Sequence, residues 1–348
     1  MSSWLDQTLS NYNPRDIMIA TIGSHSALQI LRGAKQEGLK TLAFCEKDKA
    51  HFYETFGVAD KIVIVEDYGS LLKEENRRLL LDYNAIFIPN SSFLAYIGSK
   101  RIENEFKVPL FGNRRLLRVE EDRVLELNLL STTGAAIPKE VRRERLKNYK
   151  EPVFVKYSGP RGGASHFLER GFSLVGKRIG RPREYRIEEY VIGSRFYIHF
   201  FRSIIRNRVE LLGMDERKLA NIDGLTFIPA SLQPDLIPTY LVTGNDSVVM
   251  RESIAPKALE LGEKLVEASA DLDPKGIIGP YAIHVSVDDQ LKFKLFGLAM
   301  RVDGGSNSFA DGSPYGYALF GEPMGMGRRA AREIKEAAEM GRLGEIVT

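Results

Sequence analysis

Between residues 17 and 111 the chain alternates short apolar runs with amphipathic segments, and this pattern limits the possible folds more than any other in the sequence. Residues 17–22, 41–44, 61–65 and 85–89 read as strands, with helices expected over 25–37, 47–56 and 69–81. Strands separated by a helix return to the sheet in the same direction, so this region is expected to be a parallel α/β unit. Such sheets take ligands where strands end and helices begin. Two turns fall there, Gly23-Ser24-His25-Ser26 and Pro89-Asn90-Ser91-Ser92. Serine and asparagine at these places also serve as ordinary helix caps, whereas His25 offers two ring nitrogens at the mouth of the sheet.

A different pattern follows. Pro152-Val153-Phe154-Val155-Lys156-Tyr157 reads as a buried strand running into the glycine-rich loop Ser158-Gly159-Pro160-Arg161-Gly162-Gly163. About twenty-five residues on, Ile187-Glu188-Glu189-Tyr190-Val191 reads as a second strand with an acidic hinge. Backbone N–H groups of Gly162 and Gly163 can wrap phosphate oxygens while Lys156 and Arg161 neutralise their charge, with a base against Glu188, Glu189 and Val191. The loop matches neither the Walker pattern nor the dinucleotide fingerprint. Residues 209–214, 226–229, 240–243, 248–251, 281–287 and 291–298 are expected to form a largely antiparallel sheet, with helices over 119–133, 256–272 and 328–339.

A chain of 348 residues, 43% hydrophobic and 27% charged, exceeds one ordinary core and suggests closely docked units, with boundaries expected at 1–118, 119–200 and 201–348. The net charge of +3 balances 49 basic against 46 acidic side chains, which argues against a nucleic-acid-binding surface. The basic run 139–150 is most simply a solvated face. A lone cysteine, Cys45, leaves no internal disulfide. The first sixteen residues lack a basic head and apolar core, and no run is long enough to cross a bilayer, so a cytoplasmic protein without membrane contact is expected.

Further polar turns carry more detail than packing requires. Gly112-Asn113-Arg114-Arg115 opens a helix, Asn221-Ile222-Asp223-Gly224 is a turn with an amide and a carboxylate, and Arg301-Val302-Asp303-Gly304-Gly305-Ser306-Asn307 leaves a strand. Arg251 and Glu252 could pair with each other or line the same cleft. Arg251 and Arg301 are the candidate catalytic residues, since guanidinium forks match phosphate.

With those stretches in this order, and with Ile19-Ala20-Thr21-Ile22-Gly23-Ser24-His25, Glu210-Leu211-Leu212-Gly213-Met214-Asp215 and Gly244-Asn245, the chain resembles nearly end to end the formate-dependent FAICAR synthetases of archaeal purine biosynthesis. The resemblance implies an ATP-grasp fold behind an N-terminal α/β domain. It also implies an enzyme that formylates AICAR (5-aminoimidazole-4-carboxamide ribonucleotide) with formate and ATP through formyl phosphate. It assigns His25, Ser92 and Asn221 to AICAR, and Lys156, Arg161, Gly162, Gly163, Glu188, Glu189 and Val191 to ATP. A homo-oligomer is expected.

The chain departs from the family pattern at several places. Acidic or amide side chains expected to hold magnesium are replaced by His284 and Gly297, the first a poor magnesium ligand better suited to manganese or zinc, the second no ligand. Glu252, Asp303 and Asn307 are the candidate substitutes. The phosphate loop reads Arg161-Gly162-Gly163-Ala164-Ser165, one cation and one glycine short of the pattern, and Asn90-Ser91 replaces a usual His-Gly. Two alternatives stay open beside the synthetase: a non-catalytic or altered paralogue that binds a purine-pathway nucleotide, and a related ligase with another amine or carboxylate.

Overall fold

The structure, a computed structural model, describes residues 3–157, 167–169, 175, 185–234 and 236–348. Its first sheet has four parallel strands in the order β3-β2-β1-β4: β1 (Met18–Ile22), β2 (Lys40–Glu46), β3 (Lys61–Val65) and β4 (Ala85–Phe87). Every residue of β1 is buried, as a central strand covered on both faces requires. The expected helix over 69–81 is two elements, a 3-10 turn at Tyr68–Leu72 and a helix at Glu74–Asp82. Lys73 between them has extended backbone, φ −69° and ψ 144°.

Two antiparallel sheets follow. A three-stranded one, in the order β6-β5-β7, contains β5 (Val153–Tyr157), β6 (Phe167–Glu169) and β7 (Tyr185–Glu189). The larger one runs β10-β9-β8-β11-β12, with β8 (Ser194–Ser203), β9 (Arg208–Asn221), β10 (Tyr240–Ser247), β11 (Gly279–Val287) and β12 (Phe293–Ala299). The central strand β8 is absent from the sequence expectations. Its Arg195, Tyr197 and His199 alternate with Phe196, Ile198 and Phe200, so the usual polar side of the alternation is itself large and half apolar. Residues 226–229 and 248–251 are not strands. The first is a turn between the short helix Ile222–Leu225 and a 3-10 turn at Ala230–Leu232. At the second, the chain leaves the sheet after Ser247, and the buried Met250 donates its N–H to Tyr315 Oη at 3.1 Å instead of extending a ladder.

Two contacts show how closely the halves dock. Helix Met326–Glu339 lies along helix Ala27–Gln36 at a separation that side chains would block: a Cβ on Gly33 would come within 2.2 Å of Arg328 N, and one on Gly327 within 2.3 Å of Gln29 O. Beside them, Asn90 after β4 makes a parallel bridge to Val302 after β12. One apolar cluster, including Ala20, Phe87, Leu127, Tyr281 and Leu298, runs through both halves. The ligand edge of the parallel sheet therefore abuts the end of the large antiparallel sheet.

Candidate active site

At that junction three loops lock together. Asn90 is buried; its side chain caps helix Ser91–Ile97 by accepting from Phe93 N, and its Nδ2 donates to Ile22 O at 3.1 Å and Ser24 O at 3.0 Å. Ser24 Oγ and Ser92 Oγ lie 2.8 Å apart. Ser26 Oγ donates to Asp303 O at 3.1 Å, and Asn307 Nδ2 to His25 O at 3.3 Å. His25 has φ +43°, uncommon for a side chain without a local reason, and its ring Nδ1 stands beside Gly304. Desolvation, with Arg301, Lys49 and Arg217 nearby, lowers its pKa against the opposing pull of Asp303, so the imidazole is neutral at pH 7.

From this junction a cleft of about 240 Å³ extends between the three-stranded and five-stranded sheets. Phe154, Lys156 and Glu188 face it from β5 and β7, and Tyr190 and Val191 from the turn beyond. Arg195, Tyr197, Arg217, His284, Ser286 and Gly297 form the opposite wall. Lys156 Nζ pairs with Glu188 Oε2 at 2.8 Å and donates to Phe296 O at 3.3 Å. Glu188 also faces Arg123 Nε at 3.3 Å and Arg186 Nε at 3.4 Å, so this buried carboxylate holds three cations instead of serving as an open hinge group. Glu189 pairs with Lys294 at 2.7 Å.

Burial and the charge of Arg123 push the Lys156 pKa down to about 8, against the pull of Glu188. The folded value lies below the unfolded one, so the protonated form, which alone could attract the phosphate expected here from the sequence, is lost as pH rises through about 8. Nucleotide affinity is expected to fall across that interval and to stay level in Lys156→Arg, whose guanidinium remains charged. Calorimetric titrations of ADP at several pH values check this; identical profiles for the two proteins would remove Lys156 from phosphate binding.

Arg301 and Asp303 stand between the two regions. Arg301 Nη1 lies 2.9 Å from Asp303 Oδ1, its Nη2 is 2.8 Å from Glu120 Oε2, and Arg217 Nη2 is 2.7 Å from Asp303 Oδ2. The Arg217 guanidinium sits 3.6 Å from the Tyr197 ring centre. Although burial opposes it, Arg217 and Arg301 hold Asp303 well below the usual carboxylate range. Burial moves Glu120 the other way, to about 7, despite Arg301.

Magnesium needs several hard oxygen ligands in a near-octahedral shell. His284 and Gly297 are cross-strand partners, and a Cβ at 297 would meet His284 Nδ1 at 2.7 Å and Glu126 Oε1 at 3.4 Å. The imidazole thus fills the space of a side chain at 297. Burial drives the His284 pKa down to about 4, and its Nε2 faces Asp303 Oδ2 at 3.4 Å and Arg217 at 3.5 Å. Among the described residues no group of three or more His, Cys, Asp or Glu side chains could hold a metal ion. The donor set does not fit magnesium.

Several expected residues gather here: His25 and Ser92 in the junction, Arg301 and Asp303 at its boundary, and Lys156, Glu188, Glu189, Val191, His284 and Gly297 along the cleft. Arg161, Gly162 and Gly163 lie outside the described residues. Arg251 and Glu252 are exposed and do not line the cleft. Asn307 is exposed and bonded to His25 O. The Asn221 side chain serves its own turn, accepting from Thr239 N at 2.8 Å and donating to Ile237 O at 3.2 Å. Sequence reading missed Glu120, Arg123, Glu126, Arg195, Arg217 and Ser286. Alternation could have found Arg217, which is two residues from Asp215 and Leu219 on β9 and so shares their face.

This arrangement, a parallel α/β unit followed by a cleft between two antiparallel sheets, is that of the ATP-grasp proteins. The ADP complex of purK, an N5-carboxyaminoimidazole ribonucleotide synthetase, aligns over 93% of this chain and 78% of its own with a TM-score of 0.67, and at 15% identity it speaks for the fold alone. The crystal structure of an IMP biosynthesis protein, PurP from Thermococcus kodakaraensis, aligns over 95% of this chain and all of its own, with a TM-score of 0.79 and 35% identity. The 5-formaminoimidazole-4-carboxamide-1-(beta)-D-ribofuranosyl 5'-monophosphate synthetase of Methanopyrus kandleri is 43% identical over 98% of both chains. Two family models also match, a protein of unknown function (DUF1246) over residues 19–141 and a domain of unknown function (DUF1297) over 175–348. The chain belongs to the FAICAR synthetase family.

Proposed function

We propose that this protein makes FAICAR from AICAR, formate and ATP. The observation that carries the reading is the end-to-end likeness to the Methanopyrus kandleri synthetase, 43% identical over 98% of each chain. The relatives lend no support to the non-catalytic alternative. The arrangement suits two substrates, because the His25–Ser92 junction and the cleft adjoin at Arg301 and Asp303.

In the first step a formate oxygen attacks the γ-phosphorus of ATP, the bond to the β,γ-bridging oxygen breaks, and ADP leaves formyl phosphate behind. The 5-amino nitrogen of AICAR then attacks the formyl carbon. A C–N bond forms, the C–O bond to phosphate breaks, inorganic phosphate departs, and the amine loses one proton. Lys156 and the loop with Arg161, Gly162 and Gly163 would hold the triphosphate, while Arg301 and Arg217 neutralise charge on the transferred phosphoryl group. His25 and Ser92 are assigned to AICAR, and the neutral imidazole can accept a hydrogen bond or the departing proton. None of these roles draws on a metal at positions 284 and 297. The division at 1–118, 119–200 and 201–348, a cytoplasmic location and a homo-oligomer belong to the same reading; no helix among the described residues is long and apolar enough to cross a membrane.

His25→Ala is expected to weaken AICAR binding about tenfold, the worth of one good hydrogen bond to a ligand. Calorimetry on this variant and on His25→Ala plus Ser92→Ala tests the assignment, and unchanged affinity in both would place AICAR elsewhere.

A further inference from the structure

We infer that the cleft takes its nucleotide phosphates without a divalent cation, with Arg195, Arg217 and Arg301 supplying the positive charge. The inference rests on the reading of the cleft as the ATP site. Its first support is that every oxygen of Asp303, Glu120 and Glu126, the carboxylates around this end of the cleft, already accepts from a guanidinium or a backbone N–H. Asp303 Oδ1 accepts from Arg301 and from Gly304 N at 2.7 Å, and its Oδ2 accepts from Arg217. Glu120 Oε1 accepts from Met300 N at 2.6 Å, and its Oε2 from Arg301. Glu126 Oε1 accepts from Leu298 N at 2.8 Å, and its Oε2 from Arg123. Drawing any of them to a metal would strip a buried guanidinium or backbone N–H of its partner, which costs more than an ordinary hydrogen bond returns.

The second support is spare donor capacity pointing the other way. The Nε atoms of Arg217 and Arg301 and the Oγ of Ser286 are buried without a hydrogen-bond partner among the described residues, and all three residues line the cleft. Arg195 also lines it; its guanidinium lies over the rings of Tyr190 and Phe296, and among the described residues it has no carboxylate within ion-pair distance. Ser286 and Arg195 are register partners on adjacent strands, and His284 and Tyr197 are the next pair toward Arg217. Unpaired buried donors along one wall fit an anion that brings its own acceptors. A phosphate chain would satisfy these donors, which a cation cannot do.

Calorimetry with ADP on the full chain, in EDTA and in excess magnesium, tests this. The affinity in EDTA is expected to match or exceed that in magnesium, and Arg195→Ala, a change at a half-buried side chain outside the ion-pair network, is expected to lose about tenfold in EDTA. Binding that appears only with magnesium, or an Arg195→Ala variant with wild-type affinity in EDTA, overturns the inference and leaves the nucleotide reading standing. Absence of ADP binding in both buffers overturns the nucleotide reading and the inference with it.

Discussion

Arg301→Ala is expected to lower FAICAR turnover about 10³-fold, the scale seen when one preorganised charge donor is removed from a transition state. Arg301 touches both Asp303, beside the His25–Ser92 junction, and Glu120, which lines the cleft. The fold should survive the change. Asp303 keeps Arg217 at 2.7 Å, and Glu120, already pushed up to about 7 by burial, can take a proton once its cation is gone. Arg301→Lys should recover only part of the rate, because an ammonium cannot span both carboxylates as the guanidinium does. Steady-state kcat and KM beside melting curves distinguish the roles. A loss confined to melting temperature, with kcat intact, would make Arg301 a structural link only.

Gly297→Glu is expected to destabilise the protein by about 3 kcal/mol, from overpacking at its buried contact with His284. The new Cβ meets His284 Nδ1 at 2.7 Å, and the Glu126 carboxylate is 3.4 Å away. Adding His284→Glu removes the steric contact and builds a pair of facing carboxylates on β11 and β12. That double variant should be weak in EDTA and regain stability in magnesium, because an ion bound only by the folded state stabilises it by mass action. Wild type should melt at the same temperature in both. A double variant indifferent to magnesium would show that more than these two positions separates this cleft from a metal site.

The parallel unit was legible because its strands are largely apolar and its crossovers have helical period, as in Met18–Ile22 and Ala27–Gln36. The junction residues His25 and Ser92 were legible for the same reason, since the end of a parallel strand is where ligands enter. Strand β8 was not, because Arg195, Tyr197 and His199 occupy the face where small polar residues would mark alternation; they line the cleft or pair within the core, and their chemistry hides the strand. Residues 248–251 failed in the opposite sense, a strand-like composition used for separate burial. The acidic pair Glu188–Glu189 suggested a hinge, yet the oxygens of Glu188 are taken by Lys156, Arg123 and Arg186. Such pairings depend on residues far apart in sequence, and no local pattern announces them. The glycine at 297 was visible as a missing ligand, but only the register with His284 shows what fills its space.

Mass spectrometry of the products after incubating the purified protein with AICAR, formate and ATP tests the proposed reaction most directly. Carried out with and without magnesium, it should detect FAICAR together with ADP and phosphate, and carbon-labelled formate should place its label in the formyl group. ATP consumed without FAICAR, or AICAR left intact under every condition while the protein remains folded, would contradict the synthetase reading.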